Sequence, residues 1–203
     1  CSGLVGSEMC IRDSYVALLS FLFLTIGIVW GVFFSPTDFK QGDVYRIIYM
    51  HVPAASVSQS IYYTMTVAAV VSMIWRMKMA GIFIKSMAPI GASFTFLALI
   101  SGSIWGQPTW GTWWIWDARL TSTLVLFIFY VAIISLYSSF SEKKSADQAV
   151  SILTLVGAVN LPIIKKSVDW WNTLHQPASI KFTESSSISV SYTHLTLPTT
   201  RLV

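Results

Sequence analysis

Five runs of apolar residues, each close to the roughly 20 residues a helix needs to cross a bilayer core, alternate with short polar segments along the chain. They lie near 15–34, 53–75, 86–104, 119–139 and 148–164. The pattern predicts an all-α integral membrane protein, a polytopic helix bundle with five transmembrane helices. The first run is too long for a cleaved signal peptide and lacks the small-residue cleavage site, so it is expected to stay as a helix. In the second run Ser56, Ser60 and Tyr63 recur at helical spacing with Gln59 alongside, which predicts a polar face turned toward other helices. Gly91, Ser93 and Gly102 offer small positions for close helix approach in the third run, and Asn160 and Pro162 are expected to shape the end of the fifth.

Five spans put alternate loops on opposite sides of the membrane. The first loop (35–52), the third (105–118) and the segment from 165 onward then share one face. That face carries His51, a cluster of tryptophans, and Trp170, Trp171 and His175. Charge does not orient it: Arg76, Lys78, Lys85, Lys143 and Lys144 on one side are matched by Lys40, Arg46, Arg119, Lys165 and Lys166 on the other.

Composition agrees with a membrane protein. The 203 residues are 54% hydrophobic and 11% charged, with a mean hydropathy of +0.65. The net charge of +4 is scattered between apolar runs, so it reads as loop charge near lipid and not as a nucleic-acid footprint.

The two ends read differently from the middle. Residues 9–14 (MCIRDS) and 189–194 (SVSYTH) can be encoded by one DNA string and its reverse complement, an inverted repeat resembling the transposase end of sequencing-library adapters. Segments 1–14 and 189–203 are therefore expected to be adapter sequence, leaving 15–188 as the native transmembrane domain. Resequencing genomic DNA across both junctions tests this, and the same codons in the genome would refute it. Cys1 and Cys10 both fall in the suspect segment, so the native part has no disulfide, thiolate site or CxxCH attachment for covalent haem.

Two histidines remain for chemistry, His51 in YMHVPAAS and His175 in WWNTLHQPAS. Pro53 suits the first turn of a helix, which places His51 just ahead of the second span. Taken alone, each histidine reads more readily as a polar boundary residue than as a ligand. Paired on one face they suit the iron of a haem, whereas two histidines without a Cys, Asp or Glu partner make a poor zinc site. Between the third and fourth runs, residues 105–122 read WGQPTWGTWWIWDARLTS and hold five of the nine tryptophans. Gly106, Pro108 and Gly111 are expected to interrupt any helix early in this segment, and Trp110, Trp113 and Trp114 can share a face if a short turn forms. Indoles offer rigid apolar area with one N–H, as a porphyrin plane requires; an interfacial aromatic belt is the plainer alternative, although a belt spreads over many helix ends. Asp117 reads most simply as the N-cap of the fourth helix. Arg119, with Lys40 or Arg46, can meet haem propionates, but a cation snorkelling at a helix end is the simpler role. No Ser/His/Asp arrangement, phosphate-cradling loop or carboxylate pair is present in the sequence.

These motifs carry a resemblance. WGQPTWGTWWIWDARLTS resembles the WWD signature of haem-handling membrane proteins, and the flanking YRIIYMHVPAAS and VDWWNTLHQPAS resemble the haem exporter protein C family of cytochrome c maturation. The likeness runs from the first span to about Ser179. It implies a six-helix inner-membrane protein with the tryptophan segment facing the periplasm, or the intermembrane space of a mitochondrion. His51 and His175 would then be the axial ligands of a noncovalent haem b, on a platform of Trp105, Trp110, Trp113, Trp114, Trp116 and Asp117. The implied role is presentation of haem to a periplasmic haem chaperone, beside ABC-type transporter subunits and a small single-span membrane partner, which makes the protein a transfer component and not an enzyme. The family's sixth helix should follow His175, and IKFTESSSIS cannot supply it.

Two other readings stay open. A fragment of a larger WWD-type haem lyase would share the signature, with more helices and histidines than are found here. A transporter with an aromatic gate would need ionisable residues at mid-membrane depth, and the five runs have none clearly there.

Overall fold

The computed structural model describes residues 4–39, 41–171 and 175. Six α-helices are drawn from them: α1 (Leu4–Val29), α2 (Ile48–Trp75), α3 (Lys78–Trp110), α4 (Ala118–Ser139), α5 (Lys143–Ala158) and α6 (Asn160–Trp170). Five segments are long and apolar enough to cross a membrane: Asp13–Phe34, Asp43–Trp75, Lys78–Trp110, Ala118–Ser139 and Lys143–Trp170. The fold is thus the expected all-α membrane architecture, and no strand occurs among the described residues. Residues 4–14 lie within α1, while 189–203 and the place expected for a sixth helix lie outside the described residues.

The chain forms two compact units, Cys1–Met50 and His51–Val203. In the first, α1 runs into a π-helical turn, Trp30–Phe34, and a tight loop returns to a 3-10 turn, Asp43–Ile47. The loop is pinned by paired backbone bonds between Asp38 and Gly42, the latter at φ 60°. Arg46 donates from Nε to the Ser35 carbonyl at 3.0 Å and from Nη1 to the Val32 carbonyl at 3.2 Å. It therefore caps the carbonyls at the end of that first helical run, and its Nη1 also lies 3.4 Å from Oδ1 of Asp43. Lys40 lies outside the described residues.

The second unit is organised around two tyrosines. Tyr62 of α2 and Tyr130 of α4 are fully buried and meet edge to face at 5.1 Å, and the Tyr130 hydroxyl donates to the Ser58 carbonyl at 2.7 Å. The buried phenol of Tyr130 thus has its acceptor, whereas the Tyr62 hydroxyl has no hydrogen-bond partner among the described residues. Room for the rings comes from glycines: a Cβ on Gly91 would overlap Tyr130, and one on Gly157 would overlap Tyr62. Met65, Ile84, Leu126, Ile133, Val150 and Leu161 complete the core. The Asn160 side chain donates to the Ser122 carbonyl at 2.7 Å and so ties the head of α6 to α4.

Several local expectations are corrected. The fifth run is two helices, α5 and α6, parted at Val159; Pro162, which has no N–H to continue the ladder, sits in the first turn of α6 as a helix former would. The loop expected at 76–85 shrinks to two residues, with Arg76 in the left-handed region at φ 51°. Lys85 consequently lies on α3, its Nζ 4.8 Å from the ring centre of Tyr137. On α2 the polar face formed by Ser56, Ser60 and Tyr63 is exposed, and the buried stripe is Ala54, Ser58, Ile61, Tyr62, Met65 and Ala69. Ser60 has no need of a neighbouring helix because its hydroxyl donates to the Ser56 carbonyl one turn back. Ser93 is likewise exposed and bonded to the Pro89 carbonyl, whereas Gly91 and Gly102 do sit at close approaches.

Candidate functional site

The tryptophan segment is half helix. α3 continues through Trp105, Gly106, Pro108 and Trp110 and stops at Gly111, whose φ of 78° and N–H bond to the Gln107 carbonyl form a left-handed C-cap. The expected early interruption fails because a proline forfeits only its own N–H, and a glycine weakens a helix without ending one. Gly106 has a different use. A Cβ there would lie 3.0 Å from Cε3 of Trp110 and 3.3 Å from the Thr112 carbonyl, so its bare backbone admits both. Past the cap, the Thr112 hydroxyl bridges the bend by donating to the Trp114 carbonyl at 3.1 Å.

This helix end gathers the histidines. His51 is in the first turn of α2 and not ahead of it; the preceding 3-10 turn has already set the helical path, and Pro53 follows inside the helix. Its ring lies against α3, where a Cβ on Gly102 would be 3.0 Å from Cε1, and it meets Trp105 edge to face at 5.8 Å. Nδ1 of His51 is 3.1 Å from the Ser101 hydroxyl. That hydroxyl donates to the Leu97 carbonyl at 2.7 Å, so it presents a lone pair to the ring. That acceptor favours the proton of His51 on Nδ1, which leaves Nε2 with a lone pair, the form in which imidazole binds a metal.

His175 reaches the same neighbourhood after α6. Its ring is 6.1 Å from that of Trp110, and Nη1 of Arg119, on the first turn of α4, lies 3.3 Å from its Nδ1. His51, His175 and Arg119 are near enough to interact electrostatically. The structure thus brings together both predicted histidines with Trp105, Trp110 and Arg119.

The remaining predicted residues are placed otherwise. Trp113 and Trp114 line an apolar groove of about 390 Å³ with Phe96, Ile100, Leu124 and Phe127 of α3 and α4. Trp114 also meets Trp116 edge to face at 5.5 Å, and Trp116 is 75% exposed. Trp110 is turned to His175, so the single face suggested for Trp110, Trp113 and Trp114 does not form. Asp117 is the N-cap of α4: its Oδ1 accepts from the Leu120 N–H at 2.8 Å. Ser101 was missed. It lies one turn before Trp105 on α3, so helical spacing alone would have put it on the same face.

A haem offers iron for imidazole nitrogen, an apolar plane for indoles and an acidic edge for donors. The residues fit each requirement. Two imidazoles stand against indoles, and two buried donors, Nε of Arg119 and Nε1 of Trp114, have no hydrogen-bond partner among the described residues. Orphaned donors of this kind call for an acceptor beyond the described residues. No group of three His, Cys, Asp or Glu side chains able to hold a bare metal ion occurs among the described residues.

Comparison with known proteins gives a consistent set of relatives. Residues 8–200 match the family model described as Heme exporter protein C. The chain is 56% identical over 162 residues to heme exporter protein C of Escherichia coli strain K12, covering 80% of this chain and 66% of that protein. It is 51% identical over 174 residues to heme exporter protein C of Haemophilus influenzae, covering 86% and 71%. A ccmC-like mitochondrial protein of cytochrome c biosynthesis from Marchantia polymorpha is 45% identical over 186 residues, covering 90% and 79%. The chain therefore spans just under two thirds of the length of its Escherichia coli relative.

Proposed function

The chain belongs to the Heme exporter protein C family, and from that premise we infer that it holds haem b noncovalently between His51 and His175 and passes it on during c-type cytochrome biogenesis. The observation that carries the reading is the meeting of two imidazoles, 124 positions apart in sequence by subtraction, at the indoles of Trp105 and Trp110. Bis-histidine ligation suits iron in a porphyrin, and the lack of cysteine in 15–188 fits noncovalent capture. The unpartnered donors of Arg119 and Trp114 would receive the acidic edge. Trp113 and Trp116, together with Trp114, would extend the apolar shelf, and Asp117 would support it by holding the head of α4. The site lies at the outer, periplasmic face of the inner membrane in a bacterium, or of the mitochondrial inner membrane in a eukaryote. Its partners are a periplasmic haem chaperone, ABC-type transporter subunits and a small single-span protein. The protein is a transfer component, and its described groups at this site are placed to bind and orient haem.

Visible absorption of detergent-purified protein expressed with haem available tests this. Wild type should give a six-coordinate spectrum that collapses in His51→Ala/His175→Ala. Absence of copurifying haem, or a spectrum indifferent to the double substitution, refutes the axial assignment and returns the tryptophan segment to a partner-docking surface.

A further inference from the structure

The two histidines are held by opposite kinds of neighbour. Ser101, its proton committed to the Leu97 carbonyl, accepts from Nδ1 of His51. Arg119 has only donors, and its Nη1 is 3.3 Å from Nδ1 of His175. Nδ1 of His175 is consequently the acceptor, and a neutral ring that accepts at Nδ1 carries its proton on Nε2. An imidazole cannot give a metal the nitrogen that holds its proton. His51 is set for ligation through Nε2, and His175 is set against it.

We propose that Arg119 is a positioning residue that locks His175 in the non-ligating tautomer, so that His51 is the standing ligand and His175 engages only after Arg119 has let go. The proposal rests on the haem reading above for its consequence, but its structural half concerns this chain's own residues alone. Releasing the lock requires no net charge change: the ring loses a proton from Nε2 and gains one at Nδ1, with water as carrier, while the guanidinium turns to another acceptor. A carboxylate is the fitting acceptor, since a charge-assisted bond is about twice as strong as a neutral one. The buried Nε of Arg119, without a hydrogen-bond partner among the described residues, shows that the guanidinium has donor capacity to spare. An acidic cargo would thus draw off the residue that restrains the second ligand. One firm ligand and one releasable ligand suit a protein that must both capture haem and give it up.

The test is nitrogen NMR of haem-free full chain labelled with 15N-histidine, in which only three histidines contribute. Protonated and unprotonated ring nitrogens separate widely, and His51→Ala and His175→Ala assign the signals. In wild type, His51 should be protonated at Nδ1 and His175 at Nε2. In Arg119→Met, the two His175 nitrogens should shift away from their wild-type positions while His51 stays fixed, which also reports that the fold is intact. A proton on Nδ1 of His175 in wild type overturns the proposal without any variant, and so does a His175 tautomer indifferent to Arg119→Met with His51 unmoved. Because the sample contains no haem, these outcomes are independent of the absorption test: loss of the haem reading leaves the tautomers as measured, and loss of the lock leaves the axial assignment standing.

Discussion

Replacing Ser101 by alanine removes the one hydroxyl observed at Nδ1 of His51 while leaving the helix that carries it intact. The hydroxyl donates to the Leu97 carbonyl, which as part of the α3 ladder keeps a backbone partner, so the substitution costs the fold little. Its effect falls on the ring. Without the hydroxyl at 3.1 Å, His51 favours the tautomer with Nε2 free less strongly, and its orientation rests on the backbone bond to Ala98, on Trp105 and on the close approach at Gly102. Loss of such a supporting hydrogen bond typically weakens metal affinity about 10- to 100-fold, or roughly 1.4–2.7 kcal/mol. The lower figure is expected here, because packing against α3 still confines the ring. Haem titration followed by absorption should show about tenfold weaker binding in Ser101→Ala, with six-coordinate character recovered at saturation. Ser101→Thr keeps the hydroxyl and should restore most of the affinity. Ser101→Ala binding within twofold of wild type would refute the claim that the hydroxyl sets the His51 tautomer. A loss as complete as that of His51→Ala would show instead that the helix face had been disrupted.

Four further outcomes follow from contacts in the second unit. Tyr130→Phe removes a buried hydroxyl and orphans no donor, so thermal unfolding in detergent should show a loss of about 1 kcal/mol with haem affinity unchanged. Gly91→Ala should be worse, by about 1–3 kcal/mol in the same assay, since its Cβ would overlap the Tyr130 ring. Asp117→Ala should cost roughly 1 kcal/mol of stability and Asp117→Asn should recover most of it, because either side chain caps α4; equal damage to haem binding by both would point instead to a direct role for the carboxylate. Trp110→Ala should weaken haem binding several-fold through the lost ring contact of about 0.5–1.5 kcal/mol, while the exposed Trp116 should tolerate alanine with a smaller change, both read by the same titration.

The spans were legible because bilayer thickness imposes a length on every apolar run, and that constraint acts on composition without reference to partners. Helix ends were less so. Pro108 and Gly106 signal interruption in isolation, yet α3 runs through them to Gly111, where the backbone needs a positive φ that glycine supplies without strain. The buried face of α2 was misread for a related reason. Ser60 looks as though it requires a partner helix, but a serine hydroxyl can reach the carbonyl one turn back, and the stripe that packs is marked instead by the small and large residues around Tyr62.

The site divides along the same line. Residue type announced the histidines and tryptophans, since few side chains suit iron or a porphyrin plane, and loop parity put them on one face. What distinguishes the two histidines is decided by a neighbour's donor or acceptor character, and those neighbours stand 50 and 56 positions away in sequence. No local pattern encodes that pairing. Yet under the proposed lock it decides which ring nitrogen is free, and with it which of the two proposed ligands can hold and which can yield. Two side chains of one chemical type acquire different work because a hydroxyl with its proton already placed faces one and a guanidinium, which can only donate, faces the other.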